Sequence, residues 1–195
     1  MARKTGSHSE ITGPKIRAAA QRLFAQDGFA AVSMRRIAAE VGVQAGALYL
    51  YTPDKQALLF DMMTAHLGEL LEAAAALPAA PDPVARLDRF ARFHIAHHLE
   101  RPEAVFIAYM ELRNLTPENF AAVEEMRRRY EQMLQAILSD GKAQGLFRIG
   151  DAKLTTLALI AMMNGVTTWY REGGRLSRSE VAAHYADMAL RAVRA

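Results

Sequence analysis

Apolar positions along the chain recur three and four residues apart, and almost nowhere alternate as a strand requires. Ile16, Ala20, Leu23 and Phe24 mark one face of a first helix that Pro14 can open, since a proline in the first turn gives up no hydrogen bond. Asp27-Gly28 ends it. Ser33 is placed to cap a second helix reaching Val41, and Gly42 supplies the left-handed backbone that stops it. A third, short helix spans about 44–51. Thr52-Pro53 then reads as the cap and first residue of a long helix ending near Leu77, where Pro78, Pro81 and Pro83 forbid continuation. Further helices are expected at about 83–100, 102–114, 117–143, 151–172 and 178–194, the last opened by the capping box of Ser177 and Glu180. The pattern predicts an all-α chain.

The stretch SMRRIAAEVGVQAGALYLYTPDKQALL, from Ser33 to Leu59, packs two short helices around one glycine. A helix-turn-helix needs a small residue where its helices touch, apolar residues that seat both on a third helix, and a glycine in the turn. Ala38 is the small contact, Ile37, Val41, Val43 and Leu48 are the apolar anchors, and Gly42 makes the turn. Charge points the same way. Residues 1–55 hold eight basic and four acidic side chains, a net +4, whereas the remainder holds 16 basic against 17 acidic. A polyanion partner would therefore feel the first quarter of the chain most.

In such a unit the second helix enters the major groove with its N-terminal residues near base edges. Gln44, Ala45 and Ala47 are then the candidates for reading sequence, glutamine against adenine and alanine against a thymine methyl. Arg35 can pair with guanine or meet a phosphate. Ser33, Tyr49, Thr52 and Lys55 suit phosphate contacts, and Arg3-Lys4 forms a basic arm. The competing interpretation of the same pattern is a helical hairpin with no ligand.

LFAQDGFAAVSMRRIAAEVGV followed by AGALYLYTPDKQALL resembles the N-terminal domain of TetR-family transcriptional regulators, over about residues 14–60. The resemblance implies about nine helices, a homodimer, a helix-turn-helix DNA-binding domain at 1–55 and an effector-binding and dimerisation domain at 56–195. It also implies a repressor released from a palindromic operator by a small lipophilic effector. Leu50 and Thr52 depart from the family pattern, which bears on the specificity contacts. The last two helices resemble those of members that respond to acyl-CoA thioesters, through Trp169, Tyr170, Arg171, Gly173 and Gly174; Arg171 and Arg175 could reach CoA phosphates. Gly165, Trp169, Val181, Tyr185 and Met188 would lie at the dimer interface.

Aromatic, methionine and polar residues on the inferred inner faces suit an apolar effector cavity: Phe93, His97, Phe106, Tyr109, Met110, Tyr130, Met133, Met163 and Asn164. His94 and His98 share a helix face beside His97, but no carboxylate of ligand geometry accompanies them, so no metal is assigned. Alternatives are a drug-responsive repressor of an efflux pump, which needs buried acids where CoA needs basic groups, and a helical ligand-binding dimer without DNA binding. No nucleophile motif, phosphate-cradling loop or cofactor motif supports an enzyme. Cysteine is absent, no apolar run reaches the roughly 20 residues of a membrane span, and the N-terminus lacks a secretory apolar segment. A cytoplasmic protein with no membrane partner is the expectation.

Overall fold

The computed structural model describes residues 7–194, so the Arg3-Lys4 arm lies outside the described residues. The helices are α1 (Ser7–Asp27), α2 (Met34–Val41), α3 (Ala45–Leu48), α4 (Lys55–Ala75) and α5 (Pro83–Glu100). They continue as α6 (Pro102–Met110), α7 (Pro117–Ala143), α8 (Ala152–Asn164), α9 (Val166–Trp169) and α10 (Arg178–Val193). Among the described residues there is no strand, only an isolated antiparallel bridge between Phe147 and Arg194. The chain is all-α.

Four element boundaries differ from the sequence expectation, besides α3, which ends at Leu48 rather than near 51. First, α1 starts at Ser7 and carries Pro14 inside it, so that residue forgoes a hydrogen bond to the turn before it. Second, α4 is capped by Asp54, whose Oδ1 accepts from Ala57 N at 2.8 Å, while the Thr52 hydroxyl donates to Asp54 O at 3.0 Å. Third, the helix expected at 102–114 ends at Met110 and gives way to a 3-10 turn over Leu112–Asn114. Fourth, the helix expected at 151–172 breaks at Gly165. There the hydroxyls of Thr167 and Thr168 donate to Asn164 O and Gly165 O at 3.0 and 2.8 Å, competing for carbonyls the helix would use.

The chain forms two compact units. One runs up to Leu67 and takes in Glu103–Glu124; the other comprises Gly68–Pro102 and the chain from Glu125 onward. Both α4 and α7 cross the boundary. Ile16, Phe24, Ile37, Leu48 and Leu59 are buried in the first unit, and Leu87, Phe90, Ile95, Leu134 and Val193 in the second, where α5 packs along α10. Each such side chain stabilises its unit by roughly 1.5–3 kcal/mol. The capping box forms as expected: Glu180 N donates to Ser177 Oγ at 3.3 Å, and Ser177 N to Glu180 Oε2 at 2.8 Å.

Candidate nucleic-acid interface and ligand grooves

The helix-turn-helix forms for local reasons. Ser33 has extended backbone and its Oγ accepts from Arg36 N at 3.2 Å, satisfying a donor that the first turn of α2 would otherwise leave open. At the other end Gly42, at φ 76°, lets its own N–H reach Ala39 O and that of Val43 reach Ala38 O at 3.0 Å. A Cβ at this φ would be strained, so the sharp turn into α3 depends on glycine. Ile37, Ala38 and Leu48 are buried, which fixes the opposite face outward. Arg36 bridges to Asp27 at 2.6 Å and Arg22 to Glu40 at 3.3 Å, exposed pairs that contribute little beyond register.

On that outward face Arg35 and Gln44 are exposed, and Ala45 and Ala47 are half-buried in the turn of α3. Tyr49 is 56% exposed and Leu50 83%, so neither serves the core. Two residues expected on phosphate lie elsewhere. Thr52 is 3% exposed with its hydroxyl turned to its own loop, and the Lys55 ammonium donates to Phe29 O and Val32 O, both at 2.7 Å. The Ser33 hydroxyl is occupied as a cap, although its helix start remains at the surface.

The second unit is knotted by a histidine. His94 Nε2–H donates to Asn164 Oδ1 at 2.9 Å, which leaves Nδ1 to accept the Tyr130 hydroxyl at 3.0 Å; the bonds join α5 to α8 and α7. Its ring stacks on that of His98 with centroids 3.8 Å apart. Among the described residues no group of three or more potential ligands is placed to hold a metal. Of the nine expected effector contacts, Phe93, His97, Tyr130, Met133, Met163 and Asn164 belong to this unit, whereas Phe106, Tyr109 and Met110 belong to the first. Tyr130 and Asn164 are spent on the knot.

Open grooves flank it. One of about 230 Å³ is walled by Leu77, Phe90, Met133 and Ile137 with Arg86 and Arg89 at its side. Met133 also lines a second, of about 500 Å³, beside Leu71, Ala75 and Arg129. A third, of about 780 Å³, runs past Val84, Phe93 and Leu190 with Arg89 and Arg92. Sequence reasoning missed these arginines; the signal for Arg86, Arg89 and Arg92 was their recurrence along α5, and Arg129 stands in α7.

Comparison with known proteins decides the family. Residues 16–62 match the profile of bacterial regulatory proteins, tetR family, and residues 80–193, more than half the chain, match the tetracyclin repressor-like C-terminal domain. The chain belongs to the TetR family. It is 26% identical to the HTH-type transcriptional repressor KstR2 of Rhodococcus jostii over 88% of this chain and 85% of that protein. Among solved structures, a tetR-family regulatory protein from Rhodococcus RHA1 superposes with a TM-score of 0.88 at 28% identity, covering 94% and 97% of the two chains. AibR, solved with isovaleryl coenzyme A and operator DNA, gives 0.81 at 25%, covering 91% and 97%. Family membership makes this chain a transcriptional regulator rather than an enzyme. No described helix is long and apolar enough to cross a membrane.

One histidine of this TetR-family chain gives a pH prediction. Burial pushes the His97 imidazole below the ordinary histidine range; Arg101 pushes the same way, and Glu100 and Glu69 oppose. The unfolded chain therefore takes up a proton first as pH falls through about 6.5, and the folded state resists it, so stability declines from there downward. Thermal melts from pH 7.5 to 5 should show a steeper fall in Tm for the native chain than for His97→Gln. Parallel curves would remove His97 from the account.

Proposed function

We propose that the chain is a homodimeric repressor that occupies a palindromic operator and is released by a CoA thioester. The observation that carries the DNA reading is the helix-turn-helix itself, with Ile37, Ala38 and Leu48 inside and Arg35, Gln44 and Tyr49 outside. In this reading Gln44 pairs with adenine, Arg35 with guanine, Ala45 and Ala47 meet thymine methyls, and Tyr49 contacts phosphate. Effector binding and dimerisation belong to the chain beyond residue 55.

The thioester reading is supported by AibR, whose solved complex holds isovaleryl coenzyme A. It is also supported by chemistry. Grooves walled by Phe90, Met133 and Ile137 suit an acyl chain, and Arg129 beside Met133 offers a guanidinium group to phosphates, whereas Arg86 is paired with Asp140 and Arg89 donates to Pro78 O. Arg171, the sequence candidate for that task, turns back on its own loop, donating to Tyr170 O at 2.7 Å. A cationic drug would need a buried acid, and among the described residues the buried carboxylate is Glu111, which lies in the first unit and accepts from Phe29 N.

A second copy has a face to meet. Leu154, Leu157, Ala158 and Ala161 form one exposed stripe of α8, and Met188 is exposed on α10. Trp169 is 49% exposed, stacks on Tyr185 and donates to its hydroxyl at 3.3 Å. Val181, expected at the interface, is 1% exposed inside its own chain, where no second copy reaches it.

The test is fluorescence anisotropy on DNA from upstream of the gene, at fixed salt, with isovaleryl-CoA, a long-chain acyl-CoA and free CoA. One thioester should weaken binding by about 5–150-fold, the span of a typical coupling energy. Unaltered affinity with every thioester would end the effector proposal and leave the operator intact.

A further inference from the structure

The loop between α1 and α2, residues 28–33, sets where α2 starts, and its backbone groups must find partners. Three of them are held by side chains from distant parts of the chain. Phe29 N donates to Glu111 Oε1 at 3.2 Å, across 82 residues of sequence. Phe29 O and Val32 O both accept from the Lys55 ammonium, which also sits 4.1 Å from the centroid of the Phe29 ring. That ring is itself fixed edge-on against Phe24, with centroids 5.2 Å apart.

Glu111 is an expensive residue to use in this way. It is 6% exposed, and a buried carboxylate is costly unless its oxygens are paired. Here they are: Oε1 takes the Phe29 N–H, and Oε2 takes the Asn114 side-chain amide, while the Asn114 backbone carbonyl accepts from the Gln56 side chain. Burial pushes the Lys55 ammonium below the ordinary lysine range, and the Glu111 charge pulls it back up. The pair therefore grips one loop from two sides, acid on its N–H and ammonium on its carbonyls. Ser33, the cap of α2, follows directly on the gripped Val32.

We infer that Lys55 and Glu111 are positioning residues for operator binding: together they clamp the α1–α2 loop and so hold the helix-turn-helix in its DNA-competent register. The inference rests on the operator-binding reading above. It assigns Lys55 a role other than the phosphate contact its position in the sequence suggests. It also gives residues 103–124, which lie outside the helix-turn-helix in sequence but within its compact unit, a direct hold on the motif.

The full-length protein is tested on a duplex that the wild-type chain selects from a random-sequence library, with the association constant measured across a salt series. Lys55→Met and Glu111→Gln should each weaken binding by about tenfold, the cost of a disturbed buried polar contact passed on to the motif. Neither should change the slope of log K against log salt. A lysine on phosphate would instead lower that slope by roughly 1, and this result for Lys55→Met would overturn the clamp. For Glu111→Gln the sign decides. Removing a negative charge near a polyanion site should by itself tighten binding, so affinity equal to or above wild type would overturn the inference. Melts by circular dichroism establish that each variant is folded at the assay temperature, where lost stability alone leaves affinity unchanged. If either melts too low, Asn114→Ala loosens Glu111 without removing its charge; weaker binding at unchanged slope supports the clamp, and wild-type affinity overturns it. A wild-type chain that selects no duplex defeats the operator reading itself, before any variant is compared.

Discussion

Leu157→Glu is expected to convert the protein to a monomer and to lower its affinity for a palindromic operator by about 10²–10⁴-fold, the avidity that two linked half-sites supply. The argument begins with exposure. Leu154 is 67% exposed and Leu157 42%, too much for core residues, and with Ala158 and Ala161 they form one face of α8. Small residues on that face let a second helix approach closely. A two-fold axis brings each substitution to the interface twice, so one change introduces two carboxylates into an apolar stripe. Burial of the charges and their mutual repulsion both oppose association. The side chain leaves its own core alone, which keeps the protomer folded. Sedimentation velocity at micromolar concentration reads the first effect and anisotropy on the operator the second. A dimer that retains wild-type affinity would sink the proposed interface.

How far the sequence disclosed this molecule depended on whether the deciding interaction was local. Ser33, Gly42 and the Ser177–Glu180 box are three- or four-residue devices, and the structure forms each of them. The α2 pattern is equally plain because Arg35, Arg36 and Glu40 fall on one side of the helix, which leaves Ile37 and Ala38 to the other. In α8, by contrast, nearly every position of LTTLALIAMMN is apolar, and no periodicity tells the inner face from the outer. That is why the sequence alone did not single out the exposed Leu154 and Leu157.

Long-range polar contacts left no trace at all. Nothing near Glu111 announces that its carboxylate will hold Phe29 N, and nothing near Lys55 says that its ammonium is needed by the carbonyls of residues 29 and 32. A lysine beside a DNA-binding motif reads as a phosphate contact until its partners are known. Aromatic and methionine spacing is limited in a related way. It marks faces of helices but not the unit each helix joins, so Phe106, Tyr109 and Met110 were grouped with residues of the other compact unit.

Gly141→Ala is expected to lower Tm by roughly 2–8 °C, against the ordinary rule that alanine improves a helix interior by about 1 kcal/mol. Gly141 lies buried near the end of α7. The chain turns back immediately afterwards, with Leu146 N and Phe147 N both donating to Gly141 O at 2.9 and 3.1 Å. This return seats the Phe147 ring directly on the glycine, and a Cβ there would fall among the ring atoms. The ring has no easy escape. Phe147 is buried and pairs with Arg194, and Arg148 N donates to Val193 O at 2.7 Å, so displacing it strains the end of α10 as well. Overpacking of this kind costs about 1–3 kcal/mol and occasionally more, which exceeds the helix-propensity gain. Gly150→Ala is the matched control, because nothing lies near its Cβ position, and its Tm should stay within a degree or two of wild type. If Gly141→Ala melts at or above the native chain, the ring is not seated on this glycine, and the anchoring of α10 through Phe147 fails with it.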